Sequence, residues 1–388
     1  MEKLAGSVIS TILKHDSKVT SYKIALIRSI NDVVLSFPDL LEFNKDVAIP
    51  LRILAKYWFA YYWPFFDQDQ IILQGPRAIR DGIFRNDMAF RGILKRFRNE
   101  WIKMMGEKIK PADGFFIINE FNISRKKDSY PQSILLLFDK TINKISNTIK
   151  MPIRYAGEGE WTVFKKPEQF LKLKEHTISV PGTRSNDICL ILKKGLWKEF
   201  LAISLYIEAL CIHEWSIFTE RKNREFKPIY ERGFIYRLLT ERPDNRRPLT
   251  WERNQIDILL MENRRFVCPW TERIIQLNSK YDLDHIIPVS AFPINELWNL
   301  IPSDPYFNSH IKRNRLPSMP RLHKAYPHLK LAYENYVSFP ITKKAVLEDA
   351  HFRFKSLEFR TRKFEEDLTD SVISYIDQLG NARNLDLF

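Results

Sequence analysis

Apolar residues recur at intervals of three and four along the first hundred positions, a spacing that predicts amphipathic helices. Ile24, Ile27, Ile30, Val33 and Val34 mark one face, with Ser21 placed to cap the helix and Pro38 to stop it. After Pro50 a second face carries Leu51, Leu54, Ala55, Trp58 and Tyr62. A third, with Phe90, Ile93, Leu94, Phe97 and Trp101, predicts a helix from about Asn86 to Met105, ended by Gly106. Arg91, Lys95 and Arg98 form a separate basic row there, with Arg96 and Lys103 nearby. That row is either a phosphate-facing surface or a solvated face over a packed one, and the clean apolar stripe favours the second.

The pattern changes between Gln132 and Val180. Ser133 to Phe138 is a short apolar run, Trp161 to Phe164 and Thr177 to Val180 alternate, and Gly157, Gly159 and Pro181-Gly182 punctuate them. A small strand-containing insert is the expectation. From Gly195 to Thr219 a wide apolar face predicts one long buried helix, with Leu196, Phe200, Ile203, Ile207, Leu210 and Ile217. His213-Glu214 lies inside it. A zinc-protease reading needs a second His at the position of Ile217, so a packed or hydrogen-bonded core His is expected. Pro243 to Pro248 reads as a turn-rich boundary, after which Thr250 stands at a helix cap ahead of Ile256 to Met261.

Composition sharpens this picture. At 388 residues two or three packed units are expected, and an apolar fraction of 45% supplies their cores. Lys and Arg number 61 against 47 Asp and Glu, a net charge of +14 that favours a polyanionic partner: nucleic acid first, an anionic membrane surface second. Three scattered cysteines, Cys189, Cys211 and Cys268, make no disulfide framework and no four-thiolate zinc cage, and a reducing cytoplasm fits them. The apolar run after Met1 is broken by Lys14, His15 and Asp16, which is not a signal-peptide pattern. The aromatic stretch Tyr57 to Phe66 is too short to span a membrane.

The chemistry concentrates between Tyr281 and Ser318. A strand-like run ends in Asp284-His285 and continues through Ile286-Ile287-Pro288; a loop with Pro293 and Asn295 follows, then Trp298-Asn299-Leu300-Ile301-Pro302. Ser303-Asp304-Pro305 then opens a helix bearing Asn308, His310, Lys312 and Arg313. A His at a strand end can take a proton from water near neutral pH. A carboxylate beside it and an amide oxygen on the facing helix can hold one hard cation. Asp284 and His285 are adjacent, so both serve one site only if the strand ends or bends there.

This segment resembles the HNH, or ββα-metal, endonuclease family. The signature is Asp284-His285-Ile286-Ile287-Pro288, then Asn299-Leu300, then Asn308, at 14 and 23 residues beyond His285. These offsets are similar to those of the HNH module in RNA-guided effector nucleases. The resemblance implies His285 as general base, Asp284 and Asn308 as ligands of one Mg²⁺ or Mn²⁺, and Asn299 as a brace of the loop that orients the His. It implies Lys312, Arg313 and Arg315 as phosphate contacts, with His310 as a rival to Asn308. Many relatives carry paired CxxC motifs; here only Cys268 stands, so no structural zinc is expected. Packing by Trp270, Trp298, Tyr306 and Phe307 is expected in its place. Flanking text at Ser21-Tyr22-Lys23, His213-Glu214-Trp215 and 242–247 looks like that of bacterial HNH proteins that accompany phage-defence or restriction genes.

The resulting expectation is an α+β chain, predominantly helical, with a ββα-metal HNH module embedded between helical regions in its C-terminal half. The domains expected are 1–125 (helical), 126–250 (mixed, with the small insert and the long helix), 251–322 (nuclease module) and 323–388 (helical). The function expected is metal-dependent hydrolysis of DNA, double-stranded by preference, as a cytoplasmic nicking enzyme with no membrane partner and with defence-system proteins as partners. The alternatives are a non-catalytic nucleic-acid adaptor on a vestigial fold and an RNA-cleaving toxin.

Overall fold

The five apolar positions of the first predicted helix are all fully buried in α1 (Tyr22–Ser36). Arg28, Asn31, Asp32 and Ser36 on the same helix are buried as well, so α1 is enclosed on every side and its polar groups need partners inside the core. Tyr61 donates its hydroxyl to Asp32 at 2.6 Å, and Arg28 donates to the Leu239 carbonyl at 2.8 Å while lying 4.5 Å over the Tyr61 ring. A computed structural model describes residues 5–66, 71–76, 78–80, 83–85, 87–106, 112–224, 230–241, 249–292 and 294–388. The architecture is α+β and predominantly helical, and it divides into two units: Met1–Ser36 with Phe43–Arg242, and Phe37–Glu42 with Pro243–Phe388.

In the first unit α1 packs against α2 (Leu51–Tyr62), whose Trp58, Phe59 and Tyr62 meet Phe90, Phe97 and Phe138 in an aromatic core. The third predicted helix is α3 (Arg91–Met105), closed by Gly106 at φ +56°, where a side chain would be strained. Its predicted start near Asn86 lies outside the described residues. The first member of its basic row is not a surface group. Arg91 is buried, ion-paired to Asp87 and bonded to the Ile72 carbonyl at 2.9 Å, while Arg98 lies over the Trp63 ring. Only Lys95, Arg96 and Lys103 of that set are exposed.

The strand-containing insert exists but begins later than its pattern implies. Ser133 to Phe138 belongs to a 23-residue helix, α4 (Gln132–Arg154), because Ile142, Ile145, Ile149 and Ile153 continue the buried spacing. A four-stranded sheet follows, in the order β2-β4-β1-β3. Here β1 is Asp46–Pro50, β2 Glu168–Gln169, β3 Thr177–Ser179 and β4 Ile188–Leu192, with β1 parallel to β3 and antiparallel to β4. Trp161 to Phe164 is not a strand.

The single long helix expected at 195–219 is two: α5 (Lys194–Ala202) and α6 (Ser204–Asn223), bent by 80° at Ile203, where φ is −115° and ψ 24°. Neither Pro nor Gly marks the break. Trp197 and Phe200 before the bend and Cys211 and Trp215 after it are all buried. His213 is exposed rather than packed in a core. No single helix among the described residues is long and apolar enough to cross a membrane.

The second unit holds α7 (Thr250–Met261), a short hairpin β5 (Phe266–Val267) and β6 (Ile274–Ile275), and a second hairpin β7 (Asp282–His285) and β8 (Leu300–Ser303). Three helices complete it: α8 (Met319–Ser338), α9 (Pro340–Arg353) and α10 (Phe364–Arg383). The turn-rich boundary at Pro243 to Pro248 lies outside the described residues. Segment 37–42 joins this unit through Asp39, whose carboxylate accepts the Ser356 N–H at 3.0 Å.

Burial pushes the Asp39 carboxyl up to about 6, against the opposing pull of the Ser356 N–H. The folded chain therefore keeps this proton over a range in which the unfolded chain has released it. The contribution to stability is full below about pH 4 and is lost as pH rises through about 6, by ~3 kcal/mol. Asp39→Asn cannot ionise, so its stability relative to wild type is expected to climb across that window, as read by urea unfolding at successive pH values.

Candidate nuclease site

The site is built on one antiparallel hairpin. In the β7–β8 register Asp282 faces Ser303, Asp284 faces Ile301 and His285 faces Leu300. Strand alternation puts Asp282 and Asp284 on one face and His285 on the other, at the last residue of the strand. Beyond it Ile286 and Ile287 are fully buried, and the chain turns at Pro288, whose carbonyl accepts the N–H groups of Ala291 and Phe292.

Asn299 holds that turn in place. It is fully buried, and its carboxamide closes two bonds on the backbone of Ile287: Oδ1 accepts the N–H at 2.8 Å and Nδ2 donates to the carbonyl at 3.1 Å. Its own carbonyl accepts the Ile286 N–H at 2.9 Å. Asn299 is anchored in turn by its neighbours. Tyr333 donates to the Trp298 carbonyl at 2.8 Å and Tyr336 to the Leu300 carbonyl at 2.6 Å. Glu296 is buried against Arg353 in a forked ion pair and accepts the Trp298 indole N–H at 2.6 Å, while Asp349 accepts the Leu297 N–H at 2.7 Å. The connection between the strands is thus tied to α8 and α9.

The helix after β8 is opened by Asp304, whose carboxylate accepts the Phe307 N–H at 3.0 Å. Its stretch Phe307–Lys312 is π-helical, and it ends at Arg313, whose φ of +53° is uncommon for a residue with a side chain. Asn308 and Lys312 face the hairpin. Asn308 donates Nδ2 to Asp282 at 3.1 Å; Lys312 donates to Asp284 Oδ1 at 2.8 Å and to the His285 carbonyl at 2.7 Å. His310 faces away, exposed and stacked on Tyr306 at 4.6 Å.

The candidate residues are therefore gathered unevenly. Asp284, His285, Asn299 and Lys312 are gathered around the last residues of β7, Asn308 is bonded to Asp282 at its first residue, and His310 joins neither. Lys312 is 1% exposed rather than facing solvent, and Arg313 is exposed and Arg315 half-buried beside it. Three further residues complete the site. Asp282 orients Asn308, Asn295 Oδ1 lies 2.7 Å from His285 Nε2, and Trp270 donates its indole N–H to Asp284 Oδ2 at 3.1 Å. Asp282 carried a legible signal, since it lies two residues before Asp284 on the same strand face. Asn295 and Trp270 carried none, because their roles depend on where the loop and the first hairpin fold back.

Asp284 is 4% exposed; burial raises its pKa, while the Lys312 ammonium and the Trp270 N–H oppose that rise. The donors along this face are the carboxylates of Asp284 and Asp282 and the carboxamide oxygen of Asn308, all hard oxygens. That set suits Mg²⁺ or Mn²⁺, and the side of Asp284 already accommodates a cationic group. Cys268 accepts the Asp304 N–H at 3.2 Å. Of the aromatic residues expected to pack in place of zinc, Trp270 and Phe307 meet at Phe388, at 5.3 and 5.7 Å, under Arg321. Trp298 packs elsewhere, on Phe354 and Tyr375, and Tyr306 is 66% exposed.

Residues 2–239 match the family described as Domain of unknown function (DUF8808), and residues 268–318 match the family described as HNH endonuclease. The second match runs from Cys268 through the ββα elements to Ser318. No curated protein and no solved structure matches the chain.

The buried Glu296–Arg353 pair supports the connection that carries Asn299. Arg353→Met leaves an uncompensated carboxylate in the core and is expected to cost about 3–5 kcal/mol in denaturant unfolding. Glu296→Gln with Arg353→Met should recover part of that loss.

Proposed function

From a chain that belongs to the Domain of unknown function (DUF8808) family and carries an HNH endonuclease domain, we infer a metal-dependent endonuclease that nicks double-stranded DNA. The HNH domain implies a nucleic-acid substrate. The observation that carries the finer reading is that Asn308 and Lys312, on one helix, bond Asp282 and Asp284 on one face of β7, a strand that ends in His285 and runs into the turn braced by Asn299. A basic chain of net charge +14 suits a duplex polyanion, and one such site addresses one strand at a time. A role in anti-phage defence rests on the resemblance of the flanking sequence to proteins of that setting.

Asp284 and Asn308 are the residues that would hold Mg²⁺ or Mn²⁺, with Asp282 fixing the Asn308 amide group so that its oxygen is presented. When bound, the ion would offset charge developing on the phosphate. His285 takes a proton from the attacking water. A neutral imidazole that donates Nε2–H to Asn295 Oδ1 is held in one tautomer and one orientation. Asn299 keeps the His285–Ile287 backbone in register with the helix. Arg313 and Arg315 stand where flanking phosphates would be engaged.

Supercoiled plasmid incubated with the full chain and Mg²⁺ or Mn²⁺ is expected to become open circles before linear DNA appears, and chelation is expected to stop it. His285→Ala should lower the rate about 100- to 10,000-fold. Asn295→Ala should lower it about 10- to 100-fold, as loss of an orienting partner does. No relaxation by the wild type under any of these ions, or an unchanged rate in His285→Ala, defeats the reading. RNA digested in preference to DNA would move the same site to the other polymer.

A further inference from the structure

Both oxygens of Asp284 are taken. Oδ2 accepts the Trp270 indole N–H at 3.1 Å and Oδ1 accepts the Lys312 ammonium at 2.8 Å. The two partners differ in kind. Trp270 lies on the hairpin side, its ring wedged edge-on against Phe388, so it has one place to be. Lys312 is the last residue of the π-helical stretch, followed by the exposed Arg313, and a four-carbon stem gives its ammonium room to reach outward. An ammonium that is 1% exposed and bonded to a carboxylate and a backbone carbonyl sits in the kind of oxygen environment that a hard cation takes.

We propose that Trp270 and Lys312 divide control of the Asp284 carboxylate: Trp270 is a positioning residue that fixes one oxygen, and Lys312 is an internal cation that occupies the other until a divalent ion displaces it. The inference rests on the reading of Asp284 as a cation ligand. Two cations sharing one buried carboxylate repel each other where little water screens them, so entry of a divalent ion and departure of the ammonium are coupled. Once expelled, the ammonium lies on the side of Arg313 and Arg315 and becomes a phosphate contact.

The test uses the full chain with Mn²⁺ alone, followed by electron paramagnetic resonance, with no nucleic acid present. Lys312→Met is expected to bind Mn²⁺ about 10-fold or more tightly than wild type, since an occluding occupant lowers apparent affinity by the fraction of open sites. Trp270→Phe is expected to bind about 10-fold more weakly, with an altered spectrum of the bound ion that mere destabilisation does not produce. Asp284→Asn should abolish the site. A second measurement needs no substitution: acylation of the wild type read by mass spectrometry should find Lys312 protected without metal and reactive once Mn²⁺ saturates the site. Binding that requires Asp284 yet is no tighter in Lys312→Met, or a Lys312 still protected at saturation, overturns the proposal alone. Binding that is indifferent to Asp284→Asn, or absent even from Lys312→Met, overturns the cation-centre reading and this inference with it.

Discussion

The arrangement of the nuclease site depends on one buried carboxamide. Asn299 is fully enclosed and satisfied by both hydrogen-bonding groups of Ile287, so the chain just past the end of β7 has one conformation available to it. A buried amide left unpaired costs more than the bond itself contributes, which makes the clamp hard to open by small movements. Asp284 and His285 keep opposite faces of β7, and Asn299 fixes the turn that begins just after His285, where the strand ends.

The clamp needs its own support, which comes from residues that no nuclease motif includes. Tyr333 and Tyr336 on α8 hold the carbonyls on either side of Asn299, and Glu296, Arg353 and Asp349 secure the approach. These are buried polar groups with partners at short range, a costly way to build a core unless a precise position matters. On the opposite side, Cys268, Trp270, Phe307 and Phe388 support the helix and Asp284 by packing and one indole bond. Trp270 and Lys312 reach the Asp284 carboxylate itself, one on each oxygen.

Much of the fold was legible where local rules decide. The helices at 22–36, 51–62 and 91–105 follow apolar spacing bounded by Pro38, Pro50 and Gly106. The rules failed where a pattern admitted two solutions. The run from Ser133 to Phe138 fits a strand or a helix turn, and only its continuation to Ile153 selects the helix. The break at Ile203 carries no Pro or Gly to announce it, and the residues on both sides continue the apolar spacing of one helix. Arg91 looked like part of a surface row because spacing says nothing of Asp87, which removes it from solvent.

The sequence by itself determined the HNH assignment: the order Asp284-His285, Asn299, Asn308 at its spacing and a proline-capped helix start lie within the matched residues 268–318. It determined, too, that the site would be two short strands and a helix, since turn and cap residues act within a few positions. The tertiary structure alone decided the company those residues keep. Asn295 beside His285, Trp270 and Lys312 on the two oxygens of Asp284, and Arg353 beneath Glu296 are pairings across 10 to 57 positions. The physical reason is that propensity is set by the nearest few residues, whereas a buried charge is settled by whichever partner the packed chain brings within hydrogen-bonding distance.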